Sequence, residues 1–249
     1  MMQAIGIIPA RYGSTRFEGK VIQDLCGKPV IQHVYERAQK AKLLDDLIIA
    51  ADDDRIVEVV KGFGGKVVFT SKSHLTGTDR LTEVVNQMDV RLVVNIQGDE
   101  PLIHPLLIDD LVRTMQDDPS IVMATAVKKS RSLEEFKSPD VVKAVVDQNR
   151  YALYFSRQPI PTFLKPAAEG NFFYKHIGIY AYNKDFLFMF KKLPKSYLEK
   201  NEKLEQLRAL ECGYRIKVIE TKFETVGVDT PEDLELAKNF LRREKAADA

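Results

Sequence analysis

Five side chains in this 249-residue chain have the types and settings for phosphate and metal chemistry: Arg11, Arg16, Lys20, Asp99 and Asp229. The first three lie on a loop, Pro9 to Lys20, that leaves the C-terminal end of an apolar strand pattern, Ala4 to Ile8. Ligands of α/β sheets bind at that end of the strands. Gly13 and Gly19 let the loop backbone approach a ligand with no Cβ in the way. Three cations so placed suit a polyanion, and a nucleoside triphosphate is the expected one. A plain solvated basic loop has the same composition. Asp99 ends a buried strand pattern, with Gly98 before it and Pro101 two residues on, and Asp229 directly precedes a helix start. Such carboxylates hold magnesium when phosphate oxygens and water complete its shell. Singly, each is equally a turn or capping acid. Together with the cationic loop they compose a nucleotide–magnesium site.

The elements that must position these residues alternate in the first half of the chain. Ile31, Val34, Tyr35 and Ala38 share one helical face, and Leu47 to Ala51 is a continuous apolar run suited to a strand covered on both faces. Further strands are expected over Lys66–Thr70, Leu92–Ile96 and Ile121–Val127, with helices between them. That alternation implies βαβ units and a parallel sheet. The pattern then changes. Ser132 to Glu135 reads as a capping box, and Val141–Val146 and Tyr151–Ser156 flank a hairpin turn at 147–150. Pro159 to Gly170 is an irregular loop, His176–Tyr182 a strand, Lys184–Lys191 an aromatic-rich helix, and Leu198–Cys212 one helix ending at Gly213. A last helix starts at Thr230-Pro231 with acids in its first turn. The expected fold is thus α/β, a Rossmann-like, mostly parallel sheet flanked by helices. Residues 1–127 and 191–249 form the nucleotide-binding domain, and 128–190 a β-rich insertion.

Composition narrows the function classes. A net charge of +1 offers no global field for nucleic acid, so any anion site is local. No apolar run reaches the roughly 20 residues that span a bilayer, and the chain lacks a signal-peptide layout, so a cytoplasmic protein is expected. Cys26 and Cys212 make no bridge framework, and the histidines at 33, 74, 104 and 176 lack zinc-ligand spacing. Gly13 to Lys20 is no Walker A loop, because five residues separate its glycines and Val21 stands where Ser or Thr would hold magnesium. No G-x-G-x-x-G follows the first strand. Asp52-Asp53-Asp54 admits a D-x-D reading, as in a metal-dependent glycosyltransferase, or a simple strand exit and helix start.

Seven motifs, taken in order, carry a family resemblance. They are Ile-Pro-Ala-Arg-Tyr-Gly-Ser-Thr-Arg with Gly-Lys (7–20), Gly-Thr-Asp-Arg (77–80), Asn-Ile-Gln-Gly-Asp-Glu-Pro (95–101), Tyr-Ala-Leu-Tyr-Phe-Ser-Arg (151–157), Lys-His-Ile-Gly-Ile-Tyr (175–180), Leu-Glu-Gln-Leu-Arg (204–208) and Gly-Val-Asp-Thr-Pro-Glu-Asp-Leu (227–234). Over nearly its whole length the chain resembles the 3-deoxy-manno-octulosonate (KDO) cytidylyltransferases of the sugar nucleotidyltransferase superfamily. The resemblance implies CTP and KDO as substrates, CMP-KDO for lipopolysaccharide and pyrophosphate as products, Mg2+ as cofactor, and a homodimer formed through the insertion. It places Arg11, Arg16 and Lys20 on the CTP phosphates with the backbone of Ala10 beside them, and Gly77, Thr78, Arg80 and Gln97 around the cytidine. It gives the metal to Asp99 and Asp229, makes Lys20 catalytic with them, and turns Arg157, His176, Tyr180, Glu205 and Gln206 toward the sugar acid. A core histidine at 176 and a helix-surface charge at Glu205 are the alternatives those two residues leave open.

Four positions, in three places, depart from the family pattern. Phe17-Glu18 stands where Leu-Pro is usual, putting an acid beside the triphosphate loop, while Lys175 and Asn183 occupy places where arginine is frequent. Lysine does not replace arginine in bidentate carboxylate binding. An 8-amino analogue of the sugar, or a sialic acid, therefore remains an alternative substrate.

Overall fold

The computed structural model describes residues 2–14, 16–74, 76–163 and 171–247, so Thr15 and the end of the expected irregular loop, 164–170, lie outside the described residues. The chain divides into two compact units, residues 1–112 with 224–249, and residues 113–223. The second takes in the expected insertion, 128–190, and extends beyond it on both sides.

In the first unit, β1 (Met2–Ala10) is followed by a small antiparallel pair, β2 (Asp24–Leu25) and β3 (Lys28–Pro29), and then by α1 (Val30–Ala38). Three repeats of strand and helix come next: β4 (Asp46–Ala51) with α2 (Asp54–Gly62), β5 (Val67–Phe69) with α3 (Gly77–Val85), and β6 (Val90–Asn95) with α4 (Pro105–Asp117). β1 lies between β4 and β6, and β5 adds to β4, all of them parallel. Ile5, Ile7 and Ile8 are fully buried, which is why β1 reads as an unbroken apolar run. The Asp run resolves here. Asp53 is the N-cap of α2, accepting from the Arg55 amide at 3.1 Å, so that residue is a helix start.

The second unit continues with β7 (Met123–Ser130), α5 (Leu133–Lys137), β8 (Lys143–Val146), β9 (Ala152–Ser156), β10 (Phe173–Asn183), α6 (Lys184–Lys192), α7 (Tyr197–Glu202), α8 (Leu207–Glu211) and β11 (Lys217–Glu220). β8 and β9 form the expected hairpin, β10 is antiparallel to β7 and β8, and β11 is parallel to β7. The capping box at 132–135 is only half made. Ser132 accepts from the Glu135 amide, but the Glu135 carboxylate turns to Ser130 and Lys175. Asn183 caps α6 through the Asp185 and Phe186 amides, which gives that departure a local job. The first unit closes with α9 (Pro231–Ala247), whose Leu234, Ala237 and Leu241 pack on Leu25, Val30 and Val228.

The single helix expected over 198–212 is two, because Lys203 takes a left-handed conformation (φ 56°) that ends α7. What joins the halves is a buried ion pair. Arg208 donates from Nε to Glu199 at 2.8 Å and from a terminal nitrogen at 2.6 Å. Burial pushes the Glu199 carboxyl up, but the Arg208 hydrogen bonds and charge outweigh it and hold its pKa below the ordinary value. A depressed folded-state pKa means the stabilisation is fully present above the unfolded value, about 4.3, and is lost as pH falls through the folded one. Glu199→Gln should therefore cost about 3 kcal/mol at pH 7, since it leaves a buried guanidinium without its charge partner. Urea midpoints at pH 7 and pH 3 check this: the gap between variant and wild type narrows at the lower pH.

Candidate nucleotide and metal site

The loop after β1 is folded around one residue. The Tyr12 carbonyl accepts from the amides of Ser14 at 3.0 Å and Gly19 at 2.9 Å, so the loop closes on itself. Gly19 sits at φ 64°, and a Cβ there would meet the Tyr12 ring at 3.1 Å, so this position favours glycine on two counts. The Arg55 guanidinium lies 3.3 Å from the centre of that ring. Lys20 then opens a short 3-10 turn, Lys20–Ile22, and its side chain reaches Asp99 and Asp229.

The two acids are brought together by backbone bonds. The Val228 amide donates to the Asp99 carbonyl at 2.8 Å, which sets Asp229 beside Asp99. At the start of α9, Asp233 accepts from the amides of Asp229 at 3.1 Å and Thr230 at 2.9 Å, while Thr230 accepts from the Asp233 amide at 3.2 Å. The expected N-cap turn thus also orients Asp229, a candidate site acid. Gly98 is needed for the same convergence, because a Cβ there would stand 2.8 Å from the Pro9 carbonyl oxygen.

Lys20 Nζ donates to both carboxylates, to Asp229 at 2.6 Å and to Asp99 in a shorter bond, and Arg16 donates to the other Asp229 oxygen at 2.7 Å. Burial alone would lower the Lys20 pKa, but the two carboxylates outweigh it and raise it. Burial likewise pushes Asp229 up, and Lys20 and Arg16 more than reverse that, holding it below the ordinary value. These residues edge a cavity of about 350 Å³ lined also by Pro9, Arg11, Gly13, Ser14, Val21, Gly77, Gln97 and Gly98. Glu18 is exposed and does not line this cavity.

The donor set fits magnesium. Asp99 and Asp229 offer hard oxygens within bonding reach of one point, the Lys20 nitrogen. Among the described residues no group of three or more His, Cys, Asp or Glu could hold a metal, so an ion here would draw on Asp99 and Asp229 alone. Magnesium takes just such a share from protein when phosphates and water fill the remainder.

Three residues expected at the nucleotide site, Arg80, Thr78 and Ala10, lie outside the cavity lining. Arg80 does not line the cavity; it is fully buried and bonded to Asp52 at 2.9 Å, to Thr70, and to the Ser71 carbonyl at 3.4 Å. The D-x-D reading fails for the same reason, since Asp52 is spent on Arg80 and the Tyr12 amide, and Asp53 on Arg55. Thr78 and Ala10 are buried, with Pro9 rather than Ala10 at the cavity wall. Pro9, Ser14, Val21 and Gly98 line the cavity beyond the expected residues, and their place at strand-end loops is the signal the sequence offers for them.

The expected sugar-acid residues all fall in the second unit. Two of them flank an irregularity in β10 between Ile177 and Tyr180, the kind of bulge that re-aims side chains near sites. Thr125 gives its hydroxyl proton to the Ile179 carbonyl at 2.8 Å, so the His176 Nε2–H donates to Thr125 at 3.0 Å and Nδ1 keeps its lone pair. Burial lowers the His176 pKa to about 3, so the ring is neutral. The Tyr180 ring lies 5.5 Å from His176, and burial and then the Glu205 charge push its hydroxyl well above the usual range. Gln206 is buried with an amide nitrogen that has no hydrogen-bond partner among the described residues. Arg157 is more constrained than expected, donating to the carbonyls of Glu202 and Pro139, both at 2.9 Å.

Residues 5–218 match the cytidylyltransferase family model. The 3-deoxy-manno-octulosonate cytidylyltransferase of Geotalea uraniireducens is 51% identical over 251 residues, covering 97% of this chain and 100% of its own length. That of Geobacter sulfurreducens is 51% identical over 250 residues, with 97% and 100% covered. Among solved structures, a CMP:2-keto-3-deoxy-manno-octonic acid synthetase complexed with CTP matches with a TM-score of 0.91 at 43% identity, covering 97% of this chain and 99% of that one. A 4-diphosphocytidyl-2C-methyl-D-erythritol synthase from Anaerococcus prevotii, at 17% identity and a TM-score of 0.64 over 97% of this chain and 99% of that one, shares the fold.

Proposed function

The chain belongs to the cytidylyltransferase family, and within it to the 3-deoxy-manno-octulosonate cytidylyltransferases, and we propose that it transfers CMP from CTP to the anomeric C2 hydroxyl of that sugar acid. The observation that carries the residue assignment is the meeting of Lys20, Asp99 and Asp229 at the edge of a cavity walled by a cationic loop. Arg11, Arg16 and Lys20 bind the triphosphate, and Gly77 and Gln97 face the cytidine. Asp99 and Asp229 would hold a magnesium ion, which when bound supplies positive charge at the phosphate under attack.

A bond forms between the sugar O2 and the α-phosphorus, and the bond from that phosphorus to the oxygen bridging to the β-phosphate breaks. Pyrophosphate leaves with the electron pair, and the hydroxyl proton passes to solvent. Positioning and charge stabilisation do most of this work. Arg16 and Lys20 stabilise charge that builds on the phosphate oxygens. The neutral His176, with its free Nδ1 acceptor, and Tyr180, Glu205 and Gln206 offer mixed donors and acceptors suited to sugar hydroxyls. Arg157 is assigned to the sugar carboxylate. The product is the activated sugar that lipopolysaccharide assembly consumes. No described helix is long and apolar enough to cross a membrane. A cytoplasmic homodimer acting without nucleic acid or membrane completes the proposal, and sedimentation of the purified protein tests the dimer.

The deciding assay is pyrophosphate release from CTP and magnesium with 3-deoxy-manno-octulosonate, its 8-amino analogue or a sialic acid as acceptor. Release is expected with the first acid. Release confined to another acid would move the assignment to a sister enzyme, and none with any acid would overturn it.

A further inference from the structure

The first unit contains a buried polar relay that reaches the cationic loop without touching the cavity. Its centre is Asp52, the residue after β4. One Asp52 oxygen accepts from the Tyr12 amide at 3.0 Å, and the other from an Arg80 terminal nitrogen at 2.9 Å. Arg80, on α3, is wholly removed from solvent. Its other terminal nitrogen donates to the Thr70 hydroxyl and, at 3.4 Å, to the Ser71 carbonyl, while Thr70 in turn donates to the Ala51 carbonyl at 2.9 Å. The relay thus runs from the ends of β4 and β5 through α3 to a single backbone amide of the loop.

That amide belongs to the residue on which the loop is folded. Tyr12 follows Arg11, its carbonyl closes the turn through Ser14 and Gly19, and its ring lies against Gly19 and Arg55. Holding the Tyr12 nitrogen therefore fixes where Arg11, Arg16 and Lys20 begin and end. An isolated buried arginine is costly, and a buried ion pair often returns no more than well-packed apolar residues would. Burial lowers the Arg80 pKa, Asp52 offsets part of that, and the like charge of Arg11 adds to the cost. A charge kept in such a place serves geometry better than stability.

We propose that Asp52 and Arg80 are positioning residues for the triphosphate: the ion pair sets the phosphate-binding loop and acts on CTP only through it. The inference rests on the reading of this loop as the CTP phosphate site. It also changes the part given to Arg80, from a wall of the nucleotide pocket to a support behind the loop.

The test is a titration of CTP with magnesium into wild type, Asp52→Asn and Thr70→Val, by calorimetry, well below each protein's melting midpoint. The amide of Asp52→Asn still offers the Tyr12 nitrogen an oxygen but leaves Arg80 without its hydrogen-bonded carboxylate. Thr70→Val keeps the volume and removes one Arg80 partner with little threat to folding, so it carries the test if Asp52→Asn does not fold. We expect CTP to bind about tenfold more weakly to Asp52→Asn and about threefold more weakly to Thr70→Val, as displaced positioning groups do. In turnover, the KM for CTP rises by similar factors while the KM for the sugar acid stays within about twofold. A purely structural role would lower the active fraction and so kcat, leaving both KM values and the dissociation constant unchanged; that result overturns the inference. Failure of the wild type itself to bind CTP would overturn the reading of the loop, and the positioning role with it.

Discussion

Asp99→Asn should keep its fold and lose about a thousandfold in turnover, the scale on which removing a charge-stabilising group from a phosphoryl or acyl transfer site is felt. The fold is spared because the structural tie at this position is the Asp99 carbonyl, which accepts from Val228 at 2.8 Å whatever the side chain. The side chain is a quarter exposed, and its bond is to Lys20, to which an amide oxygen still offers an acceptor. What the amide lacks is charge. One of two carboxylates available to a magnesium ion becomes a neutral oxygen, and no third acid among the described residues stands ready to replace it. Pyrophosphate release under saturating CTP and sugar acid measures the loss. A thermal midpoint within about 2 °C of wild type corresponds to about 1 kcal/mol or less for a domain of this size and certifies the fold. Near-native turnover in a folded Asp99→Asn protein would remove Asp99 from the metal assignment.

Position in the sheet makes this residue legible in the sequence. Asp99 and the loop Pro9–Lys20 both leave C-terminal strand ends, and the parallel alternation that says so is a property of apolar patterning alone. The same reasoning found Asp229, since a Thr-Pro-Glu-Asp helix start fixes the preceding acid at a corner. Arg80 was misread because spacing reports which residues are near a motif, but not whether a side chain faces the ligand or the core behind it. Only the depth of Asp52 decides that, and an acid after a strand looks alike whether it caps a helix, as Asp53 does, or holds a buried guanidinium. Lys203 was invisible for another reason. A lysine in left-handed conformation breaks the usual preference, so leucine spacing carries the helix straight through it, while Glu205 and Gln206 fall in a turn between two helices. The expected sugar residues are where burial matters most and sequence says least: His176 is neutral because of its surroundings and Arg157 is tied to carbonyls that no motif mentions.

Lys20→Met should separate two roles that one ammonium performs. In the structure Lys20 lies between Asp99 and Asp229, its side chain only 13% exposed, and so occupies the point on which both carboxylates converge. A divalent cation approaching the protein without nucleotide must compete with that ammonium for the same oxygens. A triphosphate on the loop would change the balance, because its oxygens would give Lys20 new partners and release the carboxylates. On that reading the lysine would favour arrival of metal together with nucleotide over metal alone. Methionine keeps the length and apolar stem but removes the charge, so the free variant should bind Mn2+ about tenfold more tightly than wild type, a factor worth about 1.4 kcal/mol, in a titration followed by the loss of the free-ion paramagnetic signal. Turnover should move the other way, falling by about a hundredfold or more, since a cation that stabilises phosphate charge is gone. The two readouts have opposite signs, and misfolding would lower both. Equal Mn2+ affinity in the folded variant and the wild type would show that Lys20 does not compete for the acids, leaving it only its part in binding phosphate.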